Sequence, residues 1–284
     1  MNSPIHPKTI TLAFSPDTDD AFMVHAIEAG LVATEPFHFE LTSADIQLLN
    51  EKARQGVYDI TAISMAVFPF IQDQYDLVPV GSSIGDGFGP AIVVANEAYE
   101  KGLRRPEDLR NRRIAVPGLH TSAYFAARML IGSFEAVPTL FSDITQKVAT
   151  GECDGGILIH ELQLWSQHPQ LTKIGDLGQW WNERFRLPLP LGGNAIRRSL
   201  GSETITNVTR ILKESIIYGF NHRADTLNAA LRRSGAPISS NEGDRYISMY
   251  VNDHSLAFAP AVHEGIRLLF KGGAELGLCP PVQF

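Results

Sequence analysis

Gly85–Asp86–Gly87–Phe88–Gly89–Pro90, running into Ala91–Ile92–Val93–Val94–Ala95, is the stretch whose reading decides the fold. Its glycines and proline break any regular element. The apolar, β-prone run from Pro90 to Ala95 then restarts the chain as a strand. Before the break, strand and helix signals alternate. Ile10–Ser15 is β-prone and ends at Pro16. Asp20–Ala29 carries a helical stripe of Phe22, Met23, Ala26 and Ile27, closed by Gly30. Phe37–Leu41 is a second strand. Asp45 caps a helix with Ile46, Leu49 and Ala53 on one face and Gly56 just past its end. Asp59–Ser64 and Leu77–Val80 are further strands. After the break a second series begins: strand Arg113–Val116, helix Thr121–Ile131, strand Val137–Phe141, helix Ile144–Thr150, strand Gly155–Ile159.

Pro188–Leu–Pro–Leu–Gly–Gly193 marks a second boundary. Helices follow it near Ser202–Phe220, Arg223–Ser234, Ser240–Val251 and Pro260–Gly277. Two βα series separated by Gly/Pro-rich crossings predict an α/β protein of two lobes with a cleft, in which hinge closure buries a ligand. The first lobe is expected to be discontinuous, residues 1–92 and 190–284, with the last helices completing it. The second is expected to span 93–189.

Composition bounds the function. The chain has 284 residues, 44% hydrophobic and 19% charged, with a net charge of -7. Its length supports a sizeable core. The acidic balance and scattered Lys and Arg exclude a basic nucleic-acid-binding face. The polar start from Met1 to Lys8 reads as no signal peptide, and no apolar stretch is long enough to span a bilayer. Cys153 and Cys279 lie far apart without a C-x-x-C, which supports neither a disulfide framework nor a cysteine metal site. The expected setting is the cytoplasm, without stable membrane association.

Several segments carry candidate chemistry. Gly156–Ile–Leu–Ile–His160–Glu161 is an apolar strand ending in an imidazole, and ligands of open α/β folds bind beyond the carboxyl ends of strands. His160 there is either a proton acceptor or a structural histidine. Asp17–Thr–Asp19–Asp20 lacks the spacing of a calcium loop and the apolar approach of a phosphoaspartyl site. Asp19 or Asp20 is expected to cap the first helix, the other facing the cleft. Ser64 ends a strand. Gly118–Leu–His120–Thr121–Ser122–Ala123 joins a strand to a helix, where amides and hydroxyls make an anion site unless Thr121 merely caps. H-E-x-x-H fails because Leu164 holds the last position, and G-x-S-x-G, Walker A and G-x-G-x-x-G are absent. Trp180–Trp181 reads as packing.

With these residues in hand, the chain resembles the 1,4-dihydroxy-6-naphthoate synthase family of the futalosine route to menaquinone. The likeness runs along nearly the whole chain: Phe14–Ser–Pro…Asp20, Gly87–Phe–Gly–Pro90, Val116–Pro–Gly–Leu–His–Thr–Ser–Ala–Tyr–Phe125, Gly156–Ile–Leu–Ile–His–Glu161, Gly175–Asp–Leu–Gly–Gln–Trp–Trp181 and Leu187–Pro–Leu–Pro–Leu–Gly192. The resemblance implies a periplasmic-binding-protein-like fold and a lyase acting on cyclic dehypoxanthine futalosine. It implies His160 as proton acceptor, a small-molecule carboxylate substrate contacted by Asp20, Ala62, Ile63, Ser64, Thr121, Ser122 and Ala123, and neither metal nor organic cofactor. Two departures stand out. Many members carry Ser-Pro-Cys-Pro-Asn-Asp where this chain has Ser15–Pro–Asp–Thr–Asp–Asp20, which marks an acid-rich first-loop subgroup, and many carry a lysine in place of Ala62. The rival readings are a non-catalytic solute-binding protein for a small carboxylate and a chorismate dehydratase-like enzyme.

Overall fold

The computed structural model describes residues 7–164, 169–236 and 238–282; the polar residues before Pro7 lie outside them. The chain opens with β1 (Lys8–Phe14), α1 (Thr18–Glu28), β2 (Phe37–Ser43), α2 (Ile46–Arg54), β3 (Ile60–Ser64) and β4 (Tyr75–Gly85). A second series follows: β5 (Ala91–Ala95), α3 (Asn96–Glu100), β6 (Arg113–Val116), α4 (Ser122–Ile131), β7 (Glu135–Pro138), α5 (Ile144–Ala149), β8 (Gly155–Leu158), β9 (Leu171–Asp176) and α6 (Leu177–Phe185). Last come β10 (Leu189–Arg197) and helices α7 (Ser202–Asn221), α8 (Arg223–Ser234), α9 (Ser240–Tyr250), α10 (Asp253–Leu256) and α11 (Pro260–Glu275). Among the described residues no helix is long and apolar enough to cross a membrane.

Two compact units result. One holds the chain up to Ile63, with Ile71–Ser82 and Gly193–Ala257. Its sheet has the order β2-β1-β3-β10-β4, with β1 parallel to both β2 and β3. Side chains alternate across β1, as period-two strands require. Ile10, Leu12 and Phe14 enter a core with Phe22, Ile27, Ile211 and Ile216 from α1 and α7. Ala13, pointing the other way, packs with Leu49 of α2 and Ala62.

The other unit holds Ser64–Phe70, Ser83–Gly192 and the chain from Phe258 onward. Its sheet has the order β7-β6-β8-β5-β9. β6 is parallel to β7 and β8, whereas β5 is antiparallel to β8 and β9. Ala91, Val93, Ala115 and Leu158 of this sheet meet Ile144 and Val148 of α5 in one core.

The structure adds to the sequence reading, and departs from it, in several places. Residues 64–70, residues 83–92 and the segment carrying α11 group with the second unit rather than with the first lobe. Aromatic packing accounts for this, since Phe68 stacks on Phe270 of α11 with centroids 5.8 Å apart. The proline- and glycine-rich run 188–193 holds a division between the units, at Gly192–Gly193, and it does so as extended backbone largely inside strand β10, because proline's fixed φ suits extended backbone as well as a turn. The pair β9–α6 has no counterpart in the reading. Its signal is Asp176, whose side chain accepts from the Gly178 and Gln179 amides and caps α6. Finally, Asp17 takes the N-cap position of α1, so neither Asp19 nor Asp20 does; both sit in the first turn, where their charge still complements the helix dipole.

Gly178 shows how closely backbone packs in this unit. A Cβ there would fall 1.8 Å from the Phe88 carbonyl oxygen and 2.6 Å from the Gly89 nitrogen. Replacing a helical glycine by alanine gains about 1 kcal/mol of propensity, but forcing a methyl into packed backbone costs about 1–3 kcal/mol. A contact this short takes the upper end of that range. Gly178→Ala is therefore expected to lower the unfolding free energy by about 1 kcal/mol or more in urea titrations; an equal or higher midpoint would show that the 85–89 turn yields freely.

Candidate functional site

Three parallel strands of the second unit end on one edge of their sheet. The register pairs Val116, the last residue of β6, with Pro138, the last of β7, and pairs Ala115 with Gly156 of β8. Neighbouring strands lie about 4.8 Å apart, so the residues just beyond their ends emerge as neighbours. Beyond β7, the Thr139 amide donates to the Val116 carbonyl at 2.9 Å and ties the two exits together at their roots. Phe141 follows. Beyond β8 comes His160, whose ring meets Phe141 edge-on with centroids 4.8 Å apart. His160 is half-buried, and its backbone is left-handed, with a φ of 54°. Left-handed geometry is costly for most side chains and is occupied more readily by Asn, Asp and His. It turns the chain sharply out of the strand into the short 3-10 helix His160–Leu164, in which Glu161 is buried.

Beyond β6, the turn through Gly118 leads into α4. Thr121 Oγ1 accepts from the Tyr124 amide at 3.2 Å and donates to the Gly118 carbonyl at 2.8 Å. Ser122 Oγ donates to the Leu191 carbonyl at 2.7 Å and accepts from the Ala66 amide at 3.2 Å. A hydroxyl has one proton, so both protons are committed inside the protein. The anion-binding capacity of this turn therefore lies in the backbone. The Ser122 and Ala123 amides, in the first turn of α4, find no acceptor among the described residues. Such N-terminal amides, with the helix dipole behind them, favour negative charge.

Ser64 ends β3 and leads directly into the 3-10 turn Met65–Phe70, which the second unit contains. Through Ala66 that turn meets Ser122, and through Phe70 it meets the edge of the His120 ring, centroids 5.2 Å apart. The structure thus puts Thr121, Ser122 and Ala123 at the start of α4, with Ser64 in the segment that leads to the Ala66 contact. It puts His160 on the same sheet edge. Asp20, Ala62 and Ile63 belong to the first unit. The Asp20 carboxylate accepts from the Ser15 amide at 2.8 Å and lines a small pocket with Gly81 and Asn194. Ala62 and Ile63 are buried core residues of β3. Sequence reasoning missed Ala66, Leu191 and Phe141 as parts of the site. The first two act through backbone atoms, which carry no residue signature, and Phe141 reads as the end of a strand. Among the described residues no group of three or more His, Cys, Asp or Glu is placed to hold a metal ion.

Comparison with known proteins gives this geometry a context. A family described as menaquinone biosynthesis matches residues 10–275. The 1,4-dihydroxy-6-naphthoate synthase of Thermus thermophilus is 31% identical over 96% of this chain and 97% of its own length. A solved protein of Archaeoglobus fulgidus, AF1704, superposes with a TM-score of 0.88 at 34% identity, covering 95% of this chain and 98% of its own. The alkanesulfonate-binding protein of Xanthomonas axonopodis superposes with a TM-score of 0.73 at 13% identity, covering 97% of this chain and 95% of its own. That likeness establishes a periplasmic-binding-protein-like fold.

The Ser122 hydroxyl gives this site a measurable structural test. Ser122→Ala leaves the buried Ala66 amide and the Leu191 carbonyl each short of a partner, at about 1–3 kcal/mol for unsatisfied buried groups. Unfolding of the variant in denaturant should show a loss of that size. A loss below about 0.5 kcal/mol would mean that water or a neighbour replaces the hydroxyl.

Proposed function

We propose, from the premise that this chain belongs to the menaquinone biosynthesis family, that it is a carbon–carbon lyase converting cyclic dehypoxanthine futalosine to 1,4-dihydroxy-6-naphthoate. The observation that carries this reading is the sheet edge of the second unit. Two amides that find no acceptor among the described residues open α4, suited to a carboxylate, and an imidazole leaves the neighbouring strand. An anion binder needs the first feature alone. A base on a strained backbone, set beside an anion cradle, is what proton abstraction from a carboxylate-bearing substrate requires.

In this reading the substrate carboxylate is held by the Ser122 and Ala123 amides, with Ser64 and Thr121 shaping the turn around it. His160 removes a proton from the carbon framework. The electron pair left behind forms a double bond in the ring system as the bond to the sugar-derived fragment breaks; the fragment departs with that bond's pair and takes the proton back from the His160 imidazolium, and aromatisation of the remaining bicycle drives the step forward. The Phe141 edge fixes the plane of the imidazole, so the base is oriented before substrate arrives. The reaction so written draws on no metal or organic cofactor.

The test is product formation from cyclic dehypoxanthine futalosine, set against binding alone. His160→Asn keeps a residue that tolerates left-handed backbone but removes the base. Its turnover should fall on the order of 10²-fold or more, while substrate affinity changes far less. Near-normal turnover in this variant would strike out His160 as proton acceptor. Binding of the substrate by the unaltered protein without any product would favour a solute-binding role.

A further inference from the structure

We infer that Leu119 and Leu140 form an apolar clamp that grips the flat ring of the ligand whose carboxylate sits on the α4 amides, and so determine specificity for a bicyclic over a small acid. This deepens the proposed function and rests on that reading of the site.

Single exposed leucines are ordinary on protein surfaces. These two are distinguished by position. Leu119 is 41% exposed and lies in the turn that delivers the Ser122 and Ala123 amides. Leu140 is 54% exposed and lies in the neighbouring exit, between Thr139 and Phe141. The Val116–Pro138 register and the Thr139 amide bond to Val116 hold the two turns side by side at their roots. Phe141, next to Leu140, already engages His160. One sheet edge therefore carries an amide pair for negative charge, an imidazole, and two solvent-facing aliphatic side chains that no core claims. Ligand sites combine a mostly apolar lining with a few placed polar groups. The chemistry that matches this set is a planar aromatic carboxylate, with its charge on the amides and its rings between the leucines. Acetate or another small acid would satisfy the amides and leave the leucines in water.

The experiment uses the full chain with Leu119→Ser, Leu140→Ser and the double substitution, and titrates 2-naphthoate and acetate by calorimetry. Naphthoate affinity should fall about tenfold for each leucine, the expected loss from one buried aliphatic side chain. Acetate affinity and the thermal midpoint should hold, because these side chains are exposed in the free protein. Naphthoate binding unchanged in the double variant would overturn the clamp. So would an equal loss for both acids, or no naphthoate binding by the unaltered chain. If the leucine dependence appears but the unaltered chain forms no product from cyclic dehypoxanthine futalosine, the clamp stands and the lyase reading falls.

Discussion

Parallel pairing of β6 with both β7 and β8 is the constraint on which the site depends. In a parallel sheet every carboxyl end faces the same way, so residues far apart in sequence leave on a common edge. Close packing makes the arrangement tight. Gly156 lies under α5, where a Cβ would come within 2.6 Å of Ile144 Cγ2 and 2.8 Å of Val148 Cγ2. The helix can therefore sit directly on β8. The strand that ends before His160 is held from both faces and both edges, which gives the imidazole a rigid base.

Ser122 illustrates a division of labour within one residue. Its side chain is a structural rivet between the 64–70 turn and Leu191, while its backbone N–H remains for an anion. In the proposed reading, the carboxylate is recognised through backbone amides rather than through a charged side chain. In this chain Ala62 is a core residue packed with Ala13 and Leu49.

Much of this was legible in the sequence, for identifiable reasons. β6 and α8 fall on the expected residues, and α2 begins at the expected Asp45 cap, because alternation, helical stripes and capping are local signals. His160 and the Thr121–Ala123 turn were legible as strand-end and helix-start residues. The grouping of 64–70 and α11 with the second unit was not, since it follows from contacts such as Phe68 with Phe270, far apart in sequence. Nor was the commitment of the Thr121 and Ser122 hydroxyl protons to carbonyls at Gly118 and Leu191, which depends on coordinates rather than residue type. Asp17 displaced Asp19 and Asp20 as the cap because the helix begins at Thr18, a boundary that adjacent acids leave ambiguous.

The antiparallel insertion of β5 has a consequence for synthesis. Ala91–Ile–Val–Val–Ala95 is a short, entirely aliphatic strand whose neighbours in the sheet are β8 and β9. On a ribosome it emerges long before Gly156 and the 171–176 segment that complete its ladder. For that interval the nascent chain carries a sticky, edge-unprotected ribbon, the kind of segment that seeds aggregation. Its shortness, with Gly/Pro punctuation on one side and the polar Asn96–Glu97 on the other, is the built-in safeguard. Fast translation through residues 96–176 would shorten the hazard.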